Sequence, residues 1–179
     1  MSSTHNYLMP HDQKGMEVQD STSETRQYIS FTIGQEEYGV DIMAVREIKA
    51  WTDTTHLPNT PEYMRGVLNL RGVIVPIFDL RCRFGMGLTQ ATNMHVVVIV
   101  QVGQRMIGML VDAVSDILTI AEDEIQQMPQ MERNIDDEYL SGLVTVKDRL
   151  VALLDADLLF NQQSIENGVV LGKAALGDK

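Results

Sequence analysis

Gly34-Gln35-Glu36-Glu37-Tyr38-Gly39-Val40-Asp41-Ile42-Met43-Ala44-Val45-Arg46-Glu47-Ile48 recurs, without a gap, as Gly103-Gln104-Arg105-Met106-Ile107-Gly108-Met109-Leu110-Val111-Asp112-Ala113-Val114-Ser115-Asp116-Ile117. The identities fall on Gly34/Gly103, Gln35/Gln104, Gly39/Gly108, Ala44/Ala113, Val45/Val114 and Ile48/Ile117. Further along, Gly66-Val67-Leu68-Asn69-Leu70-Arg71-Gly72-Val73-Ile74-Val75 is echoed, more weakly but in the same order, by Gly142-Leu143-Val144-Thr145-Val146-Lys147-Asp148-Arg149-Leu150-Val151. Repetition in fixed order means two copies of one supersecondary unit. Each copy holds about five short strands, too few for an open sheet with stable edges, and closure into a small barrel removes those edges. The chain therefore reads as mainly β, with two small five-stranded barrels side by side and a few short helices. The first barrel is expected over about 34–90 and the second over about 91–155, with the first and last elements able to cross over.

The strand pattern extends outward from the repeat. Ile29, Phe31 and Ile33 alternate with Tyr28, Ser30 and Thr32, the period of a half-buried strand. After a turn at Gly34-Gln35-Glu36-Glu37, the alternation of Tyr38, Val40 and Ile42 completes a hairpin. Val73–Phe78 and Val96–Val102 are continuous β-branched runs of buried-strand length. Pro76 lacks an N–H, which predicts an edge strand or a bulge. Thr60-Pro61-Glu62 reads as an N-cap, a first-turn proline and a first-turn acid, predicting about two turns of helix before Asn69. Asp155–Phe160 predicts a closing helical turn. Residues 1–25 are polar and without apolar period, which predicts a disordered tail. The weakly patterned stretch from Gln162 onward is expected to be mobile.

The whole chain, 179 residues with 44% hydrophobic content, suits one domain or two small ones sharing a core. A net charge of -11 disfavours nucleic acid and anionic membrane surfaces. Cys82 is the single cysteine, so no internal disulfide forms. Its neighbours Arg81 and Arg83 are of the kind that activate a thiol, although a small structural residue is the commoner reading. With no membrane-length apolar run and no signal-peptide h-region, the protein is expected in the cytoplasm.

No residue pattern announces catalysis, a metal or a cofactor. His56 and His95 stand beside strand-like runs with no nucleophile near in sequence, so an enzyme built on either is the weaker rival. Glu122-Asp123-Glu124 and Asp136-Asp137-Glu138 lack the ligand spacing of a calcium loop. Asp79 and Asp155 occupy equivalent places in the repeat, each closing an apolar strand, and fit structural caps better than a catalytic pair.

From Gln27 to Phe160 the chain resembles the CheW family of chemotaxis coupling proteins. The likeness rests on Phe31–Ile42, on Pro58-Asn59-Thr60-Pro61, on the long run from Gly66 to Arg81 containing Asn69-Leu70-Arg71-Gly72 and Pro76-Ile77-Phe78-Asp79-Leu80-Arg81, and on Val111–Asp116. The long N-terminal tail, Cys82 and the C-terminal tail depart from the family pattern. The resemblance implies two SH3-like barrels and a scaffold with neither catalysis nor cofactor. The partners it implies are the regulatory domain of a CheA-type histidine kinase and the cytoplasmic tip of chemoreceptors, within membrane-associated arrays. By the same resemblance Glu47, Arg65, Arg71 and Val96 face the receptor. Ile29, Ile42 and Val45 face the kinase, and Met131 forms a further kinase contact on the second barrel. Alternation alone leaves Ile29 and Ile42 equally suited to a core. Arg71-Gly72 itself reads as a two-residue hairpin tip, with glycine supplying positive φ and Arg71 directed outward.

Overall fold

The computed structural model describes residues 23–127 and 139–160. Most of the expected N-terminal tail, the chain after Phe160, Met131 and the Asp136-Asp137-Glu138 run lie outside the described residues.

The alternating segments form the hairpin β1 (Thr25–Ile33) and β2 (Glu36–Asp41), whose turn is two residues, Gly34-Gln35, with Ile33 opposite Glu36. Next come β3 (Val45–Ala50), β4 (Met64–Leu70), β5 (Val73–Asp79) and the single turn α1 (Leu80–Arg83). The second half supplies β6 (Val96–Val102), β7 (Arg105–Val111), β8 (Ala113–Ala121), β9 (Leu140–Val146), β10 (Arg149–Leu154) and α2 (Ala156–Leu159). Two five-stranded sheets result, in the orders β8-β1-β2-β10-β9 and β3-β6-β7-β5-β4.

The division between barrels differs from the one expected near residue 90. Strands β3–β7 form one sheet without interruption, while β1 and β2 belong with β8–β10. The chain changes sheet inside the repeat unit, at the 3₁₀ turn Ile42–Ala44 and again at Asp112. Each copy thus leaves two strands in one barrel and sends its next three to the other. Parallel pairing closes the exchange: Leu153 lies opposite Gly39 between β10 and β2, and Ile77 opposite Gly108 between β5 and β7. These pairs are repeat-mates on both sides. They also account for the two shared glycines, because the large partner sits over each. A β-carbon on Gly39 would lie 3.0 Å from Leu153 Cδ2, and one on Gly108 would lie 2.9 Å from Val97 Cγ1 and nearer still to Ile77 Cδ1. Matching bridges, Thr55 with Val67 and Gln126 with Leu143, bring the chain beyond β3 and β8 onto the far strand of each sheet.

The core has three parts. Trp51, Leu70, Val75, Ile77, Val97, Ile99 and Leu110 fill the β3–β7 barrel, and Tyr28, Leu118, Ile120, Val144, Val151 and Leu153 fill the other. Between them, Ile29, Phe31, Ile33, Phe78, Val98, Val100, Met109 and Phe160 join a layer drawn from both sheets. That layer explains the unbroken apolar run of β6. Val97 and Ile99 line a barrel interior, Val98, Val100 and Val102 meet the second barrel, and all five are buried.

Two further expectations fail. Residues 60–69 form no helix: Thr60 Oγ1 donates to Leu57 O at 3.1 Å, Met64 N closes a turn onto Pro61 O at 2.9 Å, and the chain enters β4 at Met64. Gly66, at φ 127°, runs against the Thr55 backbone, where a β-carbon would lie 2.8 Å from Thr55 C, and bridging to Thr55 outweighs the local helix signal. Pro76 sits on an inner strand, not an edge, between β4 and β7. It is tolerated because β7 pairs with β5 only over Ile77–Asp79. The register shift in the β4–β5 ladder falls at Met64/Gly66 and not at the proline.

Candidate functional site

The β4–β5 hairpin turns on Arg71 and Gly72 at φ 50° and 87°, so both central residues are left-handed and not the glycine alone. This is the two-residue turn whose twist matches the flanking strands. Its repeat-mate is Lys147-Asp148, at 48° and 63°. Asn69 Oδ1 accepts from Gly72 N at 2.8 Å and holds the tip. The Arg71 side chain is 76% exposed and reaches back to Glu47 on β3, Nη2 to Oε2 2.6 Å. Beside Glu47, Ile48 stands partly in solvent. Val96 is half-buried at the start of β6, opposite Ala50 of β3.

Arg65 has a different setting. Its Nη1 donates to Asp79 Oδ2 at 3.0 Å and to Thr89 O at 2.6 Å, and its guanidinium lies 5.4 Å from the centre of the Trp51 ring. Asp79 is fully buried and takes three more donors: Thr89 N at 2.8 Å, Thr89 Oγ1 at 2.7 Å and Cys82 N at 3.2 Å. The sequence shows Asp79 as a cap, which it is for α1. The distant Thr89 and Arg65 carry no sequence signal linking them to it. Asp155 caps α2 in the equivalent place, accepting from Asp157 N at 2.9 Å and Leu158 N at 3.2 Å.

The residues assigned to a kinase contact divide by depth. Ile42 and Val45 are half-buried where the chain crosses between barrels, packed against the central layer, and Met43 between them is largely exposed. Ile29 is a member of that layer, buried and opposite Val40 and Ile117. Of the two readings left open for it, the structure places it in the core. Ile117, the repeat-mate of Ile48, is exposed on β8. Sequence reasoning passed over Met43 and Ile117, since apolar letters in a strand pattern read as interior.

The remaining candidates resolve into structural contacts. His95 Nδ1 accepts from Thr92 N at 3.0 Å, and its Nε2 faces Asp112 Oδ1 at 3.6 Å. Asp112 Oδ2 in turn accepts from Gly34 N at 2.7 Å and Arg81 Nη2 at 2.8 Å. His56 is exposed. Arg83 lies between the Tyr63 and Tyr139 rings, 5.2 and 4.8 Å from their centres, and donates to the Tyr139 hydroxyl. Neither arginine beside Cys82 serves its sulfur. Burial, then the carboxylates of Glu62 and Asp79, push the thiol pKa up, against a smaller lowering by Arg65. That direction is the one expected of the structural cysteine the sequence favours, and opposite to that of an activated thiol. Burial also raises the Tyr38 phenol, with the hydrogen bond to Glu36 adding to the effect. Among the described residues no group of His, Cys, Asp and Glu is placed to hold a metal ion. No described helix is long and apolar enough to cross a membrane.

A pair of barrels sharing one apolar layer, with its exposed charge pair and apolar side chains on strands and tight turns, defines a double-barrel protein-interaction domain. The family model for the CheW-like domain matches residues 27–164. The probable chemotaxis protein CheW of Rhizobium etli is 41% identical over 141 residues, spanning 79% of this chain and 91% of that protein. The chemotaxis protein CheW of Klebsiella aerogenes is 39% identical over 140 residues, 78% of this chain and 84% of that one. The crystal structure of the scaffolding protein TtCheW from Thermoanaerobacter tengcongensis superposes with a TM-score of 0.70 at 31% identity, covering 78% of this chain and 94% of that one. The chain belongs to the CheW family: it is a non-catalytic chemotaxis coupling scaffold built on two SH3-like barrels.

Proposed function

We propose that the protein couples chemoreceptors to a CheA-type histidine kinase, holding the kinase regulatory domain on one surface and the cytoplasmic receptor tip on another, and so joins membrane-associated receptor arrays. The observation that carries this reading is the Arg71–Glu47 pair. It sits on a hairpin tip and a neighbouring strand, bound to each other and otherwise free to meet a partner. An exposed ion pair of this kind adds little to stability, about 0.2–1 kcal/mol, so its placement points to recognition. A guanidinium fork beside a carboxylate suits the polar groups of a docked receptor helix, and Val96, half-buried at the start of β6, belongs to the same proposal. Arg65 supports this surface from within the fold, through Asp79 and Trp51. The kinase surface centres on Ile42 and Val45 with Met43 exposed between them, while Ile29 backs it from the core. Met131, outside the described residues, belongs to the same proposal as a second kinase contact.

The test is a pair of binding isotherms, one with the kinase regulatory domain and one with receptor-tip assemblies. Arg71→Ala is expected to weaken the receptor complex about tenfold or more and spare the kinase, since charge-assisted hydrogen bonds contribute about 1.5–3 kcal/mol. Val45→Asp places an unpaired charge in the proposed apolar interface and is expected to do the reverse. Equal loss toward both partners from either variant would refute the assignment of separate surfaces.

A further inference from the structure

Met43 stands on the 3₁₀ turn Ile42–Ala44 with its backbone held at both ends and its side chain free. Its N–H donates to Asp41 Oδ1 at 2.8 Å and its carbonyl accepts from Arg46 Nη1 at 2.9 Å, yet the residue is 77% exposed. An apolar side chain held out in this way adds nothing to the core, and methionine is common on protein-binding surfaces. The repeat shows that the crossover does not require it. Asp112 takes the same place between β7 and β8, half-buried, with its carboxylate accepting from Gly34 N and Arg81 Nη2. One crossover is thus sealed by charge, and the other displays a thioether between the half-buried Ile42 and Val45.

Access to sulfur divides the methionines. Among the described residues, Met64 and Met109 are buried and Met106 packs against a barrel interior, whereas Met43 and Met94 are 77% and 79% exposed. A thioether in water takes an oxygen atom from a peroxide, and the sulfoxide formed is polar and chiral where the thioether was apolar. The Ile42 and Val45 side chains offer it no hydrogen-bond donor. A partner closing over this turn would therefore bury the S–O dipole unpaired, at a cost the thioether does not carry.

We propose that Met43 is a reversible oxidation site through which hydrogen peroxide weakens the hold on the kinase. The peroxide O–O bond breaks, one oxygen joins the Met43 sulfur, the other leaves as water, and sulfur supplies the two electrons. Methionine sulfoxide reductases reverse the step with a dithiol, which leaves as a disulfide while the oxygen leaves as water. The inference rests on the kinase surface proposed above. It concerns the free protein, because a docked kinase covers the turn.

The experiment treats the full-length protein with hydrogen peroxide, alone and in complex with the kinase regulatory domain, and reads each methionine by peptide mass spectrometry. In the free protein Met43 and Met94 are expected to oxidise ahead of Met64 and Met109; in the complex Met43 should be protected and Met94 not. Freed of peroxide, the oxidised protein should bind the kinase domain at least about tenfold more weakly, a loss of about 1.4 kcal/mol. It should melt as untreated protein does, since the change lies on the surface. Reductase with dithiothreitol should restore binding. The near-isosteric Met43→Leu, whatever its own affinity, should bind equally before and after peroxide, while Met94→Leu should respond as the wild type does. The two readings fail separately. Equal oxidation of Met43 with and without bound kinase would refute the kinase surface and the switch with it. Protection of Met43 with binding unchanged by oxidation would overturn the switch alone. So would a peroxide effect that persists in Met43→Leu, a loss that reductase does not reverse, or a loss that comes with a lower melting temperature.

Discussion

Removing the Asp79 carboxylate tests the structure at its most demanding point. Asp79→Ala takes away a fully buried anion that accepts from Thr89 N, Thr89 Oγ1, Cys82 N and Arg65 Nη1. Breaking one side of a buried charge pair costs about 3–5 kcal/mol, because the remaining donors lose their partner without regaining water. Arg65 keeps Thr89 O, the Trp51 face and a side chain 23% exposed, which relieves it in part. The expected loss is therefore about 3–4 kcal/mol, a large share of the roughly 5–15 kcal/mol that stabilises a domain. Asp79→Asn should not rescue it, since an amide nitrogen would meet groups that are themselves donors. The repeat provides the reference. Asp155 holds the equivalent place, is not buried and accepts from two backbone groups, so Asp155→Ala should cost about 1 kcal/mol, the usual worth of an N-cap. Urea unfolding of both variants, with unchanged m-values, gives the two numbers side by side. Equal losses at Asp79 and Asp155, or an Asp79→Asn variant as stable as the wild type, would refute the reasoning.

Arg71→Ala and Glu47→Ala, alone and together, should each shift stability by no more than about 1 kcal/mol, with a coupling energy below that in a thermal double-mutant cycle. Arg65→Ala, by contrast, should lower stability by 2 kcal/mol or more, on the order of a buried charge losing its partner, so a binding defect in that variant needs a melt beside it. Gly108→Ala should destabilise by about 1–3 kcal/mol through forced repacking around Ile77 and Val97, and Gly39→Ala by less, because the Leu153 methyl lies farther away and can turn; equilibrium unfolding of both ranks them. The Cys82 thiol, its pKa raised by burial, should stay protonated at neutral pH and react with a disulfide reagent more slowly than a free cysteine, the rate climbing only in alkaline buffer. Because its folded pKa lies above the unfolded one, its contribution to stability is present at neutral pH and fades as pH rises through the alkaline range.

Much of this molecule is legible in its letters. The gapless match of 34–48 with 103–117 announces two related units, and period-two alternation marks the hairpin of β1 and β2. The apolar runs mark β5 and β6, because strand geometry follows from side-chain spacing alone. The resemblance carried by Asn69-Leu70-Arg71-Gly72 and its surroundings names the family that the comparisons bear out. What local pattern does not contain is which strands meet. The parallel pairings Leu153–Gly39 and Ile77–Gly108 join residues far apart in sequence, and they alone decide that each repeat is split between barrels. The same contacts override the helix signal at Thr60-Pro61-Glu62, where Gly66 must pass against Thr55. They commit Arg65 to Asp79 and sink Ile29 into the shared layer, and neither outcome is visible in composition or spacing. Sequence by itself determined the units and their strands, since these depend on neighbours along the chain. Tertiary structure decided how the units interlock and which charges are buried, since burial depends on what the distant half of the chain brings alongside.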